Sequence, residues 1–577
     1  MKRWYKYIKP YLSSFITGPL CMIVEVVGEV VMPYLMSVII NRANDGTLSV
    51  SSSLGIMVAM IATAVLMMAG GVGGAYFGAK ASVNFASDLR ADLYNKVQKF
   101  SFSNIDKFST GSLVTRLTND VTQLQNFVNM MLRMALRSPG MMIAALIMAI
   151  KLKPSLSVVF AVMMPILAIG IGTIISKAFP KFNLMQKKID NLNSTVLENV
   201  TNVRVVKSFV REDFEETKFK KANRDLKETG MSASKIMIFM HPTLTICMNV
   251  TTLLVVWFGG RIVLSGGMRV GDLSAFVTYV TQILSSLMMI SMLLMMSSRA
   301  LASARRIVEV LDEEADINDK SSAFPKLKVE KGKIEFKNVS FRYYKNSKDK
   351  VLDNINLTIE PNSTVGIIGS TGCGKTTLVS LIPRLYDVSE GQVLVDGVDV
   401  KDYSLKNLRD GIGMVLQKNT LFSGTIEDNL LWGDSSATQE DVMNASKKAC
   451  ADKFINSFKD GYKTVIEQGG TNLSGGQKQR LCIARALIKK PKVIILDDST
   501  SAVDTATEAS IREAFKNELS DSTKIIIAQR ISSVIDSDVI VVMDEGVITG
   551  VGTHNELMEN NKEYQEIYYS QMDKKEA

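Results

Sequence analysis

Six stretches, each apolar enough and long enough to cross a bilayer, crowd the first 300 residues of this 577-residue chain. A spanning helix needs about 20 apolar residues, and the segments near 12–40, 53–79, 127–150, 155–178, 237–263 and 271–297 each supply them. Short links at 41–52, 151–154 and 264–270 alternate with long excursions at 80–126 and 179–236, whose residue pattern is strongly helical. Basic residues assign the sides. Lys2, Arg3, Lys6 and Lys9 sit in the N-terminal tail, Lys80, Arg90, Lys96, Lys99, Lys107 and Arg116 in the first excursion, and more in the second, while the short links hold few. Tail and excursions are therefore expected in the cytosol. At about 1.5 Å per residue, helices of this length extend well beyond a membrane and can reach a domain beneath it. The start, MKRWYKYIKPYLSSF, leads into an apolar run far longer than a signal-peptide core, with no small-residue cleavage site after it, so it reads as a first span that stays.

The formal charge of +9 lies largely between the apolar stretches, which fits basic cytosolic parts of a membrane protein rather than nucleic-acid binding. Lysine richness without a transit peptide points to a bacterial cell membrane, crossed several times. Cys21, Cys247, Cys373, Cys450 and Cys482 show neither paired nor metal-ligand spacing. In the second span Gly70, Gly74 and Gly78 recur every fourth residue, a pattern for close helix approach. Glu25 and Glu29 stand one turn apart on the first span, and Arg137, in the third, lies at a similar depth of about 20 Å from the outer ends. Carboxylates in lipid are costly and mark a pair or a pathway. Two readings stay open: a structural ion pair of Arg137 with these carboxylates, or contact with a cationic substrate. The 32 methionines, dense in 130–149 and 283–297, are adaptable apolar surface or, more simply, lipid-facing filler.

Beyond a charged linker at 301–330, residues 331–577 alternate short β-rich runs with helices, the pattern of an α/β domain. The expected fold class is thus an all-α membrane domain over 1–300, six helices with long cytosolic extensions, fused to an α/β phosphate-loop nucleotide-binding domain. TVGIIGSTGCGKTT sets an apolar strand before Gly369, Ser370, Thr371, Gly372, Cys373, Gly374, Lys375, Thr376 and Thr377, matching G-x-x-x-x-G-K-[ST] in its proper context. The glycines let backbone N–H groups converge on phosphate, Lys375 neutralises the outer phosphates, and Thr376 offers a hydroxyl to Mg²⁺. The strand VIIL ends at Asp497, a second Mg²⁺ anchor. Between the two motifs, LSGGQKQR opens a helix at Ser474, Gly475, Gly476 and Gln477, whose N–H groups and dipole form an anion site. A helix start of this kind with no nucleotide of its own in reach requires another subunit's phosphate.

LSGGQ twenty residues before the strand-end aspartate resembles the signature of ATP-binding cassette proteins, and the six spans ahead of it resemble the half-size exporters of that family. The likeness covers essentially the whole chain. VSFRY resembles the adenine-stacking loop, with Tyr343; VLQKNTLFSGTI resembles the loop whose Gln417 senses magnesium and the membrane domain; and SAVD resembles the inter-subunit loop, with Asp504. DKFSTGSLVTRLTNDV and NVRVVKSFVRED, about 101–116 and 203–215, resemble the two coupling segments. The resemblance implies ATP and Mg²⁺ as cofactors, membrane lipids and an amphipathic small molecule, drug or lipid, as partners, and a second half-transporter. In that family each ATP is held by the phosphate loop of one subunit and the signature of the other.

The sequence departs from the family pattern on one catalytic step. The residue after the strand-end aspartate is usually glutamate and here is Asp498; the usual switch histidine is replaced by Gln529; and Gln468 replaces a common glutamate before the signature. A shorter carboxylate withdraws by over about 1 Å from a proton that a general base must reach within about 2.6–3.2 Å, and an amide cannot titrate. His554, in GTHNEL, belongs to another segment and is no substitute, and His241 reads as a packing residue. Slow hydrolysis with retained binding is expected, together with an intact signature donated to a partner's working site: a heterodimeric exporter with one degenerate site, resembling multidrug and lipid exporters. The alternatives are a homodimer with two slow sites, and a nucleotide-gated channel or regulatory membrane sensor. Six spans exclude a soluble DNA-repair ATPase.

Overall fold

A computed structural model describes residues 2–319, 324, 326–344, 347, 349–498 and 505–572. Two compact units result, one formed by 1–98 with 111–312 and the other by 99–110 with 313–577.

The first unit is helical throughout: α1 (Lys2–Ile8), α2 (Leu12–Asn44), α3 (Val50–Gln98), then, past the segment that joins the second unit, α5 (Thr110–Thr115), α6 (Val121–Met134), α7 (Arg137–Leu152), α8 (Pro154–Thr201), α9 (Val203–Ser208), α10 (Glu212–Met237), α11 (Met240–Leu264) and α12 (Val270–Asp312). The intervening α4 (Phe102–Phe108) belongs to the second unit. Six stretches are long and apolar enough to span a membrane: Arg3–Asn44, Ser53–Gln98, Thr110–Leu152, Pro154–Thr201, Glu212–Leu264 and Val270–Leu293. Helices suit hydrocarbon because every backbone polar group is satisfied within the segment.

Small residues bring α2 and α3 together. A Cβ added at Gly70 would stand 2.7 Å from the Cys21 carbonyl oxygen, and one at Gly74 would stand 2.2 Å from the Met22 Cε. A core of Val26, Val30, Met141, Ala145, Phe160, Leu167, Phe276, Tyr279 and Ile283 draws α2, α7, α8 and α12 together. Tyr279, fully buried, donates its phenol to the Val30 carbonyl at 2.8 Å, so its polar end is satisfied inside an apolar core. Helix α12 runs through Asp312, past residue 300, where the sequence places the end of the membrane domain. Ala300, Ser303, Ile307 and Val310 explain the extension: they are all buried and recur on one helical face. Ser303 and Arg306 of that stretch hold the buried Asp120 carboxylate, with Ser303 Oγ at 2.9 Å from Oδ1 and Arg306 Nε at 2.8 Å from Oδ2. The second departure is α4, which packs with the second unit although the sequence assigns it to the membrane domain.

The second unit carries β1 (Ile334–Phe341), β2 (Leu352–Ile359), β3 (Thr364–Gly369), α13 (Lys375–Ser380), β4 (Glu390–Val395), β5 (Val398–Asp399), α14 (Leu405–Asp410), β6 (Ile412–Val415), β7 (Gly424–Thr425), α15 (Ile426–Leu431), α16 (Gln439–Lys448), α17 (Asp452–Ile455), β8 (Val465–Ile466), α18 (Gly475–Ile488), β9 (Val493–Asp497), α19 (Thr505–Glu518), β10 (Thr523–Ile527), β11 (Val539–Asp544) and β12 (Val547–Gly552). One sheet has the order β12-β11-β3-β10-β9-β6 and the other β2-β1-β4-β5. In the first, every pairing from β11 to β6 is parallel and only β12 runs antiparallel. Strands β3, β9, β10 and β11 are buried almost throughout, as sheets covered on both faces are. The order β3-β10-β9 matters most for function. Ile527 at the end of β10 pairs with Ile367 and with Asp497, so β9 and β10 end level and β3 runs two residues further, to Gly369. Open parallel sheets bind ligands at this C-terminal edge.

Candidate nucleotide site

The phosphate loop leaves β3 at Gly369 and enters α13 at Lys375. Its turn requires left-handed backbone: Gly372 has φ of 89° and Gly374 of 98°, where a side chain would strain the chain. A Cβ built on Gly372 meets nothing within 4 Å among the described residues. Lys375 Nζ donates to the carbonyl oxygens of Gly369 at 2.8 Å and Ser370 at 2.7 Å, which holds the ammonium across the mouth of the loop. Cys373 is buried, its sulfur 3.6 Å from the same ammonium. Ser370 Oγ donates to Asp544 at 3.0 Å.

Asp497, at the end of β9, is 1% exposed. Its Oδ1 accepts from Thr376 Oγ1 at 2.9 Å, and its Oδ2 finds no hydrogen-bond partner among the described residues. Burial pushes the Asp497 carboxyl above its ordinary range and the neighbouring Asp498 adds to this, while Thr376 and Lys375 oppose it. A hydroxyl and an orphaned buried carboxylate oxygen side by side suit a hard cation that keeps several waters, so Mg²⁺ fits these residues.

Asp498 follows on the same edge with φ of 47°, an uncommon conformation for a residue with a side chain and one that re-aims its carboxylate. The switch position lies two residues past β10, and Gln529 Nε2 donates to Asp498 Oδ2 at 2.9 Å. Gln417 hydrogen-bonds the same carboxylate, so three of the sequence candidates converge on one group. Burial raises the Asp498 carboxyl above its usual range; the Lys375 charge and the hydrogen bonds from Gln417 and Gln529 pull the other way.

Tyr343 stands half-exposed, its phenol 2.9 Å from Thr377 Oγ1 and its ring edge-on to Phe341 and Tyr386, with centroids at 4.9 and 5.2 Å. Tyr386 is a residue the sequence reading missed. Its ring also meets Phe102 of α4 at 6.0 Å, and its phenol donates to Asp106 at 2.9 Å. Burial first, then that hydrogen bond, holds the Tyr386 phenol protonated far above its ordinary pKa. The RLYD run around Tyr386, soon after the phosphate-loop helix, was the available signal, but no motif logic marks it.

The signature opens α18 with a capping box: Gln477 N donates to Ser474 Oγ at 3.3 Å, and Ser474 N to Gln477 Oε1 at 2.9 Å. Ser474 and Gly475 are exposed, so the positive end of this 14-residue helix faces outward. Asp504 lies outside the described residues. His554 bonds Tyr564 at 2.8 Å and takes no part at the sheet edge. In the other unit, Arg137 Nη2 donates to Glu25 Oε1 at 3.2 Å and Glu29 Oε1 at 2.6 Å, bringing the three intramembrane candidates together.

Six spanning helices and a phosphate-loop site at a parallel sheet edge define a membrane-bound nucleotide triphosphatase. Models of known families agree: residues 15–287 match the ABC transporter transmembrane region and residues 352–501 the ABC transporter domain. The chain belongs to the ABC transporter family, as a half-transporter of the exporter type, and is an ATP-hydrolysing transporter. It is 38% identical over 574 residues to the uncharacterized ABC transporter ATP-binding protein YfiB of Bacillus subtilis, covering 99% of this chain and 98% of that one. A second Bacillus subtilis protein, YgaD, whose provisional name is multidrug export ATP-binding/permease protein, is 32% identical over 98% of both chains. A solved structure of a bacterial Atm1-family ABC exporter with ATP bound shares the fold, with a TM-score of 0.78, 24% identity and 98% of each chain covered. ABC exporters work as dimers of half-transporters, and this one is a multi-pass membrane protein.

Proposed function

We propose that this chain is the slow half of a heterodimeric exporter of amphipathic compounds in a bacterial plasma membrane. The observation that carries the reading is the hydrogen bond from Gln529 Nε2 to Asp498 Oδ2. Two of the three departures from the family pattern, Asp498 and Gln529, meet at one carboxylate. The carboxylate that would take the proton of the attacking water is one methylene short and is held by an amide that cannot accept a proton.

Bound ATP with Mg²⁺ supplies the phosphoanhydride bond that is cleaved. Lys375 balances phosphate charge, Thr376, Asp497 and Gln417 hold the metal, and Tyr343 offers its ring to the base. None of these residues is altered by the departures, so binding is retained while the general-base contribution, about 10² to 10⁴-fold, is reduced. The outward-facing signature, Ser474 to Gln477, completes the site of a different chain. Closure of the paired ATPase domains is passed to the spans through the segments at 101–116 and 203–215; exposed Phe209, Val210 and Phe214 in the second fit a docking role.

ATPase activity of the chain alone, set against the chain co-purified with a second half-transporter that carries glutamate and histidine at the two altered positions, tests the reading. Low activity alone and high activity in the pair are expected. Full activity from the unmutated chain alone would overturn it.

A further inference from the structure

Ser138 is 2% exposed, yet its Oγ has no hydrogen-bond partner among the described residues. The same holds for two neighbours, Arg137 Nε and Gln282 Oε1. All three residues line one cavity of about 230 Å³, shared with Glu29, Met141 and Met289. Buried polar groups in native proteins are nearly always paired, so three orphans in residues that line one cavity point to a partner that comes and goes.

Glu29 and Arg137 of the wall belong to a charge cluster with Glu25, which does not itself line the cavity. Arg137 reaches both Glu25 and Glu29, leaving one negative charge over when both carboxylates are ionised. The cavity wall is interrupted helix: α6 stops at Met134, α7 restarts at Arg137, and the positive helix end begins with Arg137 and Ser138. Broken helices with polar groups inside a membrane mark recognition sites. The second nitrogen-bearing wall is fixed, since Gln282 Nε2 donates to the Glu29 carbonyl at 2.9 Å and thereby turns Oε1 toward the cavity as an acceptor.

We infer that this cavity recognises protonated amines that carry a hydroxyl or carbonyl oxygen on the second carbon from the nitrogen. The ammonium N–H groups satisfy Gln282 Oε1 and neutralise the surplus carboxylate charge of Glu29. The neighbouring oxygen accepts from Arg137 Nε–H and Ser138 O–H. Met141 and Met289 supply an adaptable apolar wall for the attached chain. A quaternary ammonium lacks the donors and a neutral alcohol lacks the charge. As a site for cargo, this rests on the exporter reading; as a binding site it needs no ATP.

The test uses the full-length chain in lipid nanodiscs, without nucleotide, and equilibrium binding of three probes of equal chain length corrected by protein-free nanodiscs: N-octylethanolamine, octyltrimethylammonium and 1-octanol. The amino alcohol is expected to bind at least tenfold more tightly than either of the others. Glu29→Gln is expected to lose at least tenfold, but it disturbs the Arg137 pair and can fail to fold. Ser138→Ala avoids that difficulty: it removes a group with no internal partner, so its thermal midpoint should hold or rise while affinity for the amino alcohol falls several-fold. Equal binding of the three probes, or a Ser138→Ala variant that loses stability and keeps affinity, overturns the proposal. Selective binding without ATP-driven flux of the amine in vesicles supports the site and counts against the exporter reading instead.

Discussion

Gln529 Nε2 lies 2.9 Å from Asp498 Oδ2, so the residue at the switch position grips the residue at the base position. Two groups joined in this way act as a unit, and their substitutions should not add. In a pair whose other site has been silenced through this chain's own signature by Gly476→Asp, Asp498→Glu or Gln529→His alone is expected to raise phosphate release less than about tenfold. The double variant is expected to gain about 10²-fold or more, measured as kcat. Additive effects of the two changes would show that the groups do not share a step.

The proposed asymmetry between a slow site at this chain's phosphate loop and a working partner site makes a second prediction. Gly476→Asp fills the anion site at the start of α18 with a carboxylate and should lower the ATPase rate of the assembled pair by about 10²-fold or more. Lys375→Met, in the slow site, should reduce the same rate only a few-fold. Equal losses from the two variants in steady-state assays would point to two equivalent sites.

Tyr386 touches both Tyr343, proposed above to offer its ring to the base, and, through Asp106, helix α4. Tyr386→Phe keeps the ring and removes one hydrogen bond, an interaction worth about 1 kcal/mol. ATP affinity is expected to stay within about twofold, since α4 is not part of the pocket, while amide exchange of 99–110 rises by up to about fivefold. Asp106→Asn should reproduce that change, and the double variant should add little to it.

Packing of α2 on α3 depends on the glycine at position 70, where a Cβ would press on the Cys21 carbonyl at 2.7 Å. Gly70→Ala should therefore destabilise the membrane unit by about 1–3 kcal/mol, the usual range for overpacking. Gly55→Ala, where a Cβ meets nothing within 4 Å, is the matched control and should leave the unfolding midpoint unchanged.

Much of this was legible without coordinates because it depends on local order along the chain. Apolar length marks the spans, and the phosphate loop and signature are contiguous runs whose backbone does the work. The end of α12 was not legible, since Glu309 and Asp312 read as a charged linker while the buried face through Ile307 and Val310 is one side of a helix. Nor was the place of α4, a short amphipathic piece that takes its unit from what it packs against.

By itself the sequence determined the class of the molecule and named the candidates for its nucleotide site, with Asp498 and Gln529 as departures from the family pattern, because residue type sets what a group can donate, accept or titrate. Only the tertiary structure decided which groups meet. Strand order places β10 between β3 and β9, and so brings Gln529, 31 residues away in sequence, onto Asp498. The turn of α7 likewise leaves Ser138 Oγ and Arg137 Nε without a partner among the described residues, beside Gln282. Contacts between distant segments follow from topology and packing, which local propensity along the chain does not encode.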